Sequence, residues 1–399
     1  MEWDNDITIT YFIKKAIATK KSLREVVDTI AAGISIGTLQ VAYDAHTTKW
    51  HADKAANPNA YKAEVEEYSV LPMDENSAVV KIKVCSDLMD LKHCSFATLL
   101  SFIAGDVFGT SYDAEEIRVL DIDFSEKALA QFKGPKFGSE GIRKMLGLEN
   151  SDRPLQALIL KPNTGQPSSH YADIAYKAAL GGMDFIKDDE LNINPTSCPF
   201  EERVKMICDA LKEAEKETGK KTIYAPNISF RPEYMKEYAR KAIAAGASAL
   251  MMNIVYVGMT AVQMIAEDPE FNVPIYVHRA GHDFFTRNEV GIAMPVMTKF
   301  FRLSGADIMS VGPVFGGLET KETVKKTYEA VNADMYGINK SLAVVSRSSK
   351  DIVQGTVDWL QTKNVMFLAD GGIYNGPEGI TATTKEMKET IEKVQIQSA

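Results

Sequence analysis

Eight short apolar segments, separated by longer amphipathic stretches, dominate the chain from residue 155 onward. Apolar runs of this length are typical of strands buried on both faces, and the amphipathic stretches between them are typical of helices that cover a parallel sheet. Eight such units in succession favour a closed (β/α)8 barrel over an open sheet. The predicted strands span residues 155–161, 183–189, 222–228, 249–255, 273–279, 306–311, 341–346 and 365–370.

The chain before residue 140 lacks this alternation. Helices are predicted near residues 20–32 and 95–104, and strands near 61–70, 77–84 and 116–123. We therefore expect an α/β protein in which an N-terminal α+β domain, residues 1–140, precedes a catalytic (β/α)8 barrel, residues 141–399.

Composition and charge disfavour several classes of function. The 399 residues carry a net charge of -9 and no Lys/Arg-rich stripe, so neither nucleic acid nor a membrane is an expected partner. The first six residues, MEWDND, are acidic where a secretory signal would be basic, and no apolar run reaches the roughly 18 residues of a membrane span. The four cysteines lack CxxC spacing, which disfavours a zinc cluster or a disulfide framework. These features predict a cytoplasmic protein.

Charged residues cluster at the end of the second predicted strand, in Lys187-Asp188-Asp189-Glu190. Strand alternation sends Lys187 and Asp189 to the same side, and barrel enzymes carry their active sites at the carboxyl ends of the strands. Two carboxylates suit Mg²⁺, which prefers oxygen ligands. A protonated lysine cannot bind a metal, but addition of CO₂ to its amine would produce a carbamate oxygen ligand. From position alone, the alternative is an ion-pair cluster at a strand end.

The segment GGMDFIKDDE, residues 181–190, resembles the metal motif of the RuBisCO superfamily. Four other segments resemble that family in the same order along the chain: GDVFG at 105–109, FKGPKFG at 132–138, LKPNTG at 160–165 and VHRAGH at 277–282. The resemblance implies a Mg²⁺ site formed by Asp189, Glu190 and Lys187, with CO₂ bound to the lysine as a carbamate.

The same resemblance implies roles at other strand ends. Lys161 would handle protons on the substrate ketone and its enediol, and His278 would contact a hydroxyl or move a proton. Arg279 would bind a phosphate, because its planar fork suits an anion. The further substrate-binding positions that the resemblance implies are Thr38, Asp106, Asn163, Ser310, Ser346, Gly371 and Gly372. It also implies a homodimer with shared active sites, in which Thr38 and Asp106 of one subunit complete the site of the other.

Four positions depart from the carboxylating members of that family. Asn163 stands where they have a second lysine, and Ser310 where they have a histidine. Gly317 replaces a mobile lysine that closes over the added CO₂, and Gly33 replaces a glutamate. Loss of the loop lysine removes the electrostatic partner of a new carboxylate, ordinarily a contribution of several kcal/mol.

The sequence is therefore identified as that of a Mg²⁺-dependent RuBisCO-like protein (form IV). It would form an enediolate from a phosphorylated or acidic sugar-like substrate, a keto sugar or keto acid, by enolisation, isomerisation or decarboxylation without CO₂ fixation. One alternative is the enolase for 2,3-diketo-5-methylthiopentyl-1-phosphate, although that enzyme has a lysine in place of Thr110 and lacks the arginine found here as Arg279. True ribulose-bisphosphate carboxylation would need a cation near Gly317 from elsewhere. A barrel kept for binding or regulation is also left open, since fold does not imply turnover.

Two further departures lie in the phosphate-binding segments of the family pattern. Arg347 replaces a glycine after the seventh strand, and Asp370 lies beside Gly371 after the eighth. The Asp370 carboxylate would repel a phosphate bound at Gly371 and Gly372. The alternative is that these two glycines only form a turn. No effect is predicted for Arg347.

Overall fold

The computed structural model describes residues 5–37, 61–369 and 371–397. Thr38 and Asp370 lie outside these ranges. The chain divides into two compact units: unit 1 comprises residues 1–132, 282–300 and 335–338, and unit 2 comprises residues 133–281, 301–334 and 339–399. The predicted boundary at residue 140 stays a prediction. Within the described ranges, no helix is both long enough and apolar enough to cross a membrane.

The strands are numbered here in chain order. They are β1 Asp6–Lys15, β2 Glu64–Leu71, β3 Asp74–Cys85, β4 Ala114–Phe124, β5 Leu155–Ile159, β6 Phe185–Lys187, β7 Ile223–Ala225, β8 Leu250–Asn253, β9 Ile275–His278, β10 Val290–Ile292, β11 Ile308–Ser310, β12 Leu342–Val345 and β13 Val365–Ala369.

Helices connect most of these strands. They are Leu23–Gly33, Phe96–Leu100, Asp106–Thr110, Glu126–Leu129, Gly138–Met145, Ser168–Leu180, Phe200–Thr218, Pro232–Ala245, Ile254–Val257, Met259–Ala266, Asp283–Thr286, Met294–Leu303, Lys321–Asn332, Lys350–Leu360, Gly371–Tyr374 and Ile380–Lys393, with a 3₁₀ turn at Ser86–Leu88 and a π-helical turn at Ser101–Gly105.

Unit 1 contains a five-stranded sheet in the order β10-β4-β1-β3-β2. The strand β10 runs parallel to β4, and the other neighbours pair antiparallel. Along β1 the residues alternate, so that Ile7, Ile9, Tyr11 and Ile13 are fully buried while their neighbours are partly exposed. This is the pattern of a sheet with one face against a core. The sequence prediction placed no strand at β1.

The helix Leu23–Gly33 packs in the same unit and begins with a capping box. Ser22 Oγ accepts from the Glu25 backbone N–H at 3.3 Å, and the Glu25 carboxylate accepts from the Ser22 N–H at 2.7 Å. The two contacts satisfy backbone donors that the first turn leaves without helical partners.

Unit 2 contains an eight-stranded parallel sheet in the order β7-β6-β5-β13-β12-β11-β9-β8. A bridge between Asn227 and Met251 joins the two outer strands. Each strand lies within one of the eight predicted apolar runs, so the predicted (β/α)8 barrel is confirmed. Both faces of the strands are covered, which is why they read as continuous apolar runs; all five residues of β13 are buried.

The amino-terminal end of the barrel is closed by the helix Gly138–Met145, whose Ile142 belongs to the interior core. Asp307, fully buried just before β11, accepts from the backbone N–H groups of Phe137, Gly138 and Ile275 at 2.6, 2.8 and 2.8 Å. The carboxylate thereby connects the start of that helix to two barrel strands. The opposite, carboxyl-terminal end is left for the predicted site.

Candidate active site at the barrel mouth

Lys161 and Asp189 form the central ion pair of the mouth. Lys161 Nζ donates to Asp189 Oδ2 at 2.6 Å and to Asn163 Oδ1 at 2.7 Å. The Asp189 side chain is fully buried, whereas 29% of the Lys161 side chain is exposed. A buried carboxylate needs a charged or hydrogen-bonding partner. Lys161 provides one and keeps its ammonium at the open side of the site, so the structure brings these three predicted residues together.

The backbone of Lys161 is held by a residue that the sequence did not identify. The Tyr374 hydroxyl accepts from the Lys161 N–H at 2.9 Å and donates to the Ile159 carbonyl at 2.7 Å. Tyr374 ends the short helix that follows the eighth barrel strand. Tyr374 therefore positions the backbone of Lys161. The two residues are more than 200 positions apart in the sequence, so the contact is visible only in the folded chain.

Lys187 is the last residue of β6, and its side chain is fully buried. Its Nζ donates to the Asp188 carbonyl at 2.8 Å and lies 3.4 Å from Met251 Sδ. Within the described parts of the chain no ion pair joins it to a carboxylate; Asp189 pairs with Lys161, and Glu190 lies 3.6 Å from His278. Burial lowers the pKa of Lys187 to about 8, against the opposing charge of Glu190. A buried amine of lowered pKa loses its proton more readily than an exposed lysine.

Asp188 belongs to a separate, fully buried cluster. Its carboxylate accepts from Arg203 Nε at 3.1 Å, from the Tyr224 hydroxyl at 2.8 Å and from the Asn227 N–H at 3.0 Å. Neither Asp188 nor Arg203 has exposed side-chain surface. These contacts satisfy the carboxylate inside unit 2, so Asp188 has a structural role although it lies between two predicted metal ligands.

Asn227 also fixes the backbone of the metal motif. Its Nδ2 donates to the carbonyls of Asp189 and Glu190 at 3.2 and 3.0 Å. The side chain is fully buried directly beyond β7. The sequence signal that could have identified Asn227 as a site residue is its position, a polar side chain near the end of a largely apolar predicted strand.

Glu190 and His278 lie on opposite sides of the mouth and approach each other. His278 Nε2 lies 3.6 Å from Glu190 Oε2, and both side chains are partly exposed. The Ala280 N–H donates to His278 Nδ1 at 3.2 Å. Because Nδ1 accepts this bond, Nε2 is the ring nitrogen that faces Glu190.

Arg279, the predicted phosphate ligand, is paired with an internal carboxylate. Arg279 Nη1 donates to Glu319 Oε1 at 3.1 Å, and Arg279 Nη2 makes a closer contact with Glu319 Oε2. Arg279 is only 7% exposed. Gly312, at φ +92°, lies against this pair, and a Cβ there would clash with both side chains. The sequence did not identify Glu319 as a site residue.

The remaining predicted positions of unit 2 lie at strand ends. Ser310 ends β11, and its Oγ accepts from the Gly312 N–H at 3.3 Å. Ser346 follows β12 and is half-buried, while Gly371 and Gly372 begin the helix Gly371–Tyr374 and are exposed.

Arg347 follows Ser346 and contacts the segment beyond β11. It adopts φ +53°, in the left-handed region where the family pattern has glycine. Its Nη1 donates to the Gly316 carbonyl at 2.6 Å. Arg347 therefore holds the segment that carries Gly317.

Asp106 lies in unit 1, where it begins the helix Asp106–Thr110 and is exposed. Thr38, the other residue predicted to complete a partner's site, is outside the described residues.

The fit of a metal depends on the chemical form of Lys187. Across residues 5–37, 61–369 and 371–397, no group of three or more His, Cys, Asp or Glu side chains could hold a metal ion. With an unmodified lysine, the motif offers two carboxylates, Asp189 and Glu190. A carbamate on Lys187 would add a third oxygen ligand. The ring centre of the fully buried Tyr276 lies 5.5 Å from Lys187 Nζ, and the described residues provide no hydrogen-bond partner for its hydroxyl. These residues fit Mg²⁺ in the carbamylated form.

Known proteins match both parts of the chain. Two family models match this chain. The model for the N-terminal domain of the ribulose bisphosphate carboxylase large chain matches residues 2–128, and the model for its catalytic domain matches residues 141–397. A ribulose bisphosphate carboxylase of Methanocaldococcus jannaschii is 30% identical over 390 residues, which cover 94% of this chain and 89% of that protein. A ribulose bisphosphate carboxylase-like protein of Chlorobaculum thiosulfatiphilum is 32% identical over 330 residues, which cover 80% of this chain and 75% of that protein.

The same match is found among solved structures. The octameric ribulose-1,5-bisphosphate carboxylase/oxygenase of Pyrococcus horikoshii OT3 has a TM-score of 0.88 and 29% sequence identity, covering 99% of this chain and 90% of that chain. Carboxylases and carboxylase-like proteins match at similar identity. The comparisons therefore establish the family and the fold but do not identify the reaction. This chain belongs to the ribulose bisphosphate carboxylase (RuBisCO) large chain family.

Proposed function

We propose that this protein is a Mg²⁺-dependent RuBisCO-like enzyme that forms an enediolate from a phosphorylated keto sugar or keto acid without adding CO₂. The observation that carries the proposal is the segment after β11. Residues 311–320, VGPVFGGLET, contain no lysine or arginine, and their one charged residue, Glu319, pairs with Arg279. This segment therefore provides no positive charge to stabilise a carboxylate newly formed on a substrate. The residues proposed for proton transfer, Lys161 and His278, are present.

Asp189, Glu190 and a carbamylated Lys187 would hold the Mg²⁺. When bound, the ion supplies Lewis-acid stabilisation of the negative charge that develops on two adjacent substrate oxygens. The lowered pKa of Lys187 supports carbamate formation, because only a neutral amine reacts with CO₂. Asn227 holds the carbonyls of both carboxylate residues and so orients the set.

We assign proton transfer to Lys161, with His278 as a second candidate. Lys161 Nζ has donor contacts to Asp189 and Asn163 and is partly exposed, so it is placed to exchange a proton with a bound substrate. Lys161 is the proposed base for removal of the carbon-bound proton, and Lys187 in its carbamylated form is the alternative. Lys161 or His278 Nε2 would return it.

The substrate is expected to carry an anionic group. Arg279 is the proposed ligand of that group, which would have to displace Glu319 from the guanidinium. Gly371 and Gly372 are proposed to offer backbone N–H groups to a phosphate, with Ser310 and Ser346 as further polar contacts. We also propose a homodimer in which Thr38 and Asp106 complete the partner's site; the octameric assembly of the P. horikoshii relative supports self-association.

One observation favours a second candidate, ribulose-bisphosphate carboxylation. The M. jannaschii carboxylase is as similar to this chain as the carboxylase-like relative and aligns over more of it. Against this candidate stand Asn163, Ser310 and Gly317, which replace a lysine, a histidine and a lysine of the carboxylase pattern.

The proposal is tested by proton exchange. The protein, with Mg²⁺ and bicarbonate, is incubated in D₂O with a panel of phosphorylated keto sugars and keto acids, and loss of the carbon-bound proton is followed by NMR. We expect exchange with at least one compound and a loss of roughly 10²-fold or more in Lys161→Met. Lys205→Met is the matched control, because Lys205 is an exposed partner of Asp209. Absence of exchange with every compound, although Mg²⁺ binds, would falsify the proposal.

A radiolabel assay separates the two candidates. With ribulose bisphosphate and labelled bicarbonate, we expect no acid-stable label above that of Lys187→Met. Incorporation that depends on Lys187 would replace the proposed function with carboxylation.

A further inference from the structure

A polar cavity of about 420 Å³ opens at the other end of the barrel in unit 2. We call it the basal cavity. Gly182 and Asp184, which line it, precede β6, whose opposite end carries Lys187. In a parallel barrel this places the cavity at the amino-terminal end of the strands, away from the mouth.

Charged side chains dominate the lining of the basal cavity. Arg153 and Asp184 are committed to each other, with Arg153 Nη1 to Asp184 Oδ2 at 2.9 Å and Nη2 to Oδ1 at 2.7 Å. The other charged lining residues are Lys220, Lys221, Lys388, Glu215 and Glu392. Three lysines against two glutamates leave the cavity with an excess of one positive charge.

Lys220 and Lys388 are the unusual pair. In the described chain, neither forms an ion pair with a carboxylate at 4.0 Å or less. Lys388 is half-buried, and burial together with the adjacent Lys220 ammonium lowers its pKa. Lys220 and Lys388 line the same cavity. Two ammonium groups that share a cavity repel each other, whereas an anion bound between them would attract both.

Gly182 lies beside the Lys388 side chain. Gly182 has φ +88°, and a Cβ built there would lie 2.8 Å from Lys388 Nζ. The Lys388 ammonium therefore lies against the bare backbone of Gly182 in the wall of the cavity.

We propose that the basal cavity binds a small anion carrying a phosphate group, held between Lys220 and Lys388 with Lys221 beside them. The charge of a phosphate dianion balances both ammonium groups, whereas the charge of a monocarboxylate balances one. The volume exceeds that of a bare phosphate many times over, given about 30 Å³ for one water molecule in the liquid, so a phosphate monoester fits as well as the inorganic ion. The site is separate from the mouth and does not depend on the proposed function.

The direct test reads out the lysines themselves. Intact protein is reductively methylated with and without inorganic phosphate or glycerol 3-phosphate, and each lysine is followed by peptide mass spectrometry. We expect either anion to slow methylation of Lys220 and Lys388, and to leave unchanged that of Lys385, an exposed residue on the same helix as Lys388. Stronger protection by the ester identifies a phosphorylated metabolite as the ligand, and equal or stronger protection by phosphate identifies the free ion. Absence of selective protection with both anions would overturn the proposal.

A variant pair gives an independent measurement. In calorimetric titrations with the same two anions, Lys388→Met should weaken binding at the cavity about tenfold or more, since a charge-assisted contact is lost. Lys385→Met should bind as the parent does. Without anion, Lys388→Met should fold at least as stably as the parent, because it removes a repulsion. Equal affinity of Lys388→Met and parent would contradict the assignment.

Discussion

Two clusters of charge lie one residue apart in the sequence and differ in how well their members are satisfied. The wall cluster consists of Asp188, Arg203, Tyr224 and Asn227. The Asp188 carboxylate accepts hydrogen bonds from the other three residues, all of which are buried. The mouth cluster consists of Lys161, Lys187, Asp189 and Glu190. Its Lys187 is fully buried and forms no ion pair with a carboxylate of the described residues.

The difference separates stability from chemistry. A buried ion pair with its hydrogen bonds complete fixes local structure, and removal of one member leaves an uncompensated charge. A buried cation that forms no ion pair costs free energy in the folded state, and such groups are found more often at functional sites. The predictions below test this contrast, from the largest expected change to the smallest.

Arg203→Met should lower the free energy of unfolding by about 3–5 kcal/mol, because it leaves the Asp188 carboxylate buried with its cation removed. Urea denaturation followed by circular dichroism measures this change. The matched control is Arg231→Met, which breaks the exposed pair with Glu233 and should cost under about 1 kcal/mol. Similar losses in the two variants would remove the distinction between the wall cluster and an ordinary surface pair.

Lys187→Met should act in the opposite direction and raise the free energy of unfolding at pH 7 by about 1–3 kcal/mol, measured without Mg²⁺ and in CO₂-free buffer. Lys187 has a pKa of about 8 in the folded protein, below the 10.5 of a free lysine. Between these values the unfolded chain binds more protons, so parent stability rises with pH through that window.

Above about pH 10.5 both states of the parent are neutral at Lys187, and the advantage of the variant should disappear. The exposed-site variant Lys205→Met should show no such pH dependence. If Lys187→Met is less stable than the parent at pH 7, the Lys187 ammonium stabilises the fold as the charged residues of the wall cluster do, and the contrast between the two clusters fails.

Glu319→Gln should lower the KM for a phosphorylated substrate about tenfold, since a neutral side chain competes less well for Arg279. Steady-state exchange kinetics on the substrate found in the D₂O screen provide the measurement. Glu322→Gln, at an exposed glutamate of the following helix, is the control. An unchanged KM would show that the anionic group of the substrate does not use Arg279.

Arg347→Gly should change the free energy of unfolding by less than about 1 kcal/mol, because relief of the left-handed backbone offsets the lost hydrogen bond to Gly316. Its effect should be local, with faster amide exchange in residues 311–320. Hydrogen exchange with mass spectrometry measures it, and unchanged exchange in that segment would mean that Arg347 does not hold it.

The regular parts of the fold were predictable where the signal is local. All eight barrel strands were found because strands covered on both faces read as apolar runs. The strand β1 was missed although Ile7, Ile9, Tyr11 and Ile13 carry the period-two pattern of a half-buried strand. The strand β10 has three residues and no such pattern; its pairing with β4 defines it. Residues 282–300 likewise group with unit 1 through contacts that are distant in sequence.

Sequence by itself determined the barrel, the family and the residues that stand at its strand ends, because buried runs and side-chain alternation are properties of short segments. Tertiary structure alone decided which charge meets which: Asp188 meets Arg203, Asp189 meets Lys161, and Arg279 meets Glu319. The last pair spans 40 residues and the second 28. The role of a charged residue depends on the partners and the burial that the folded chain brings to it, and these are fixed only when distant segments pack together.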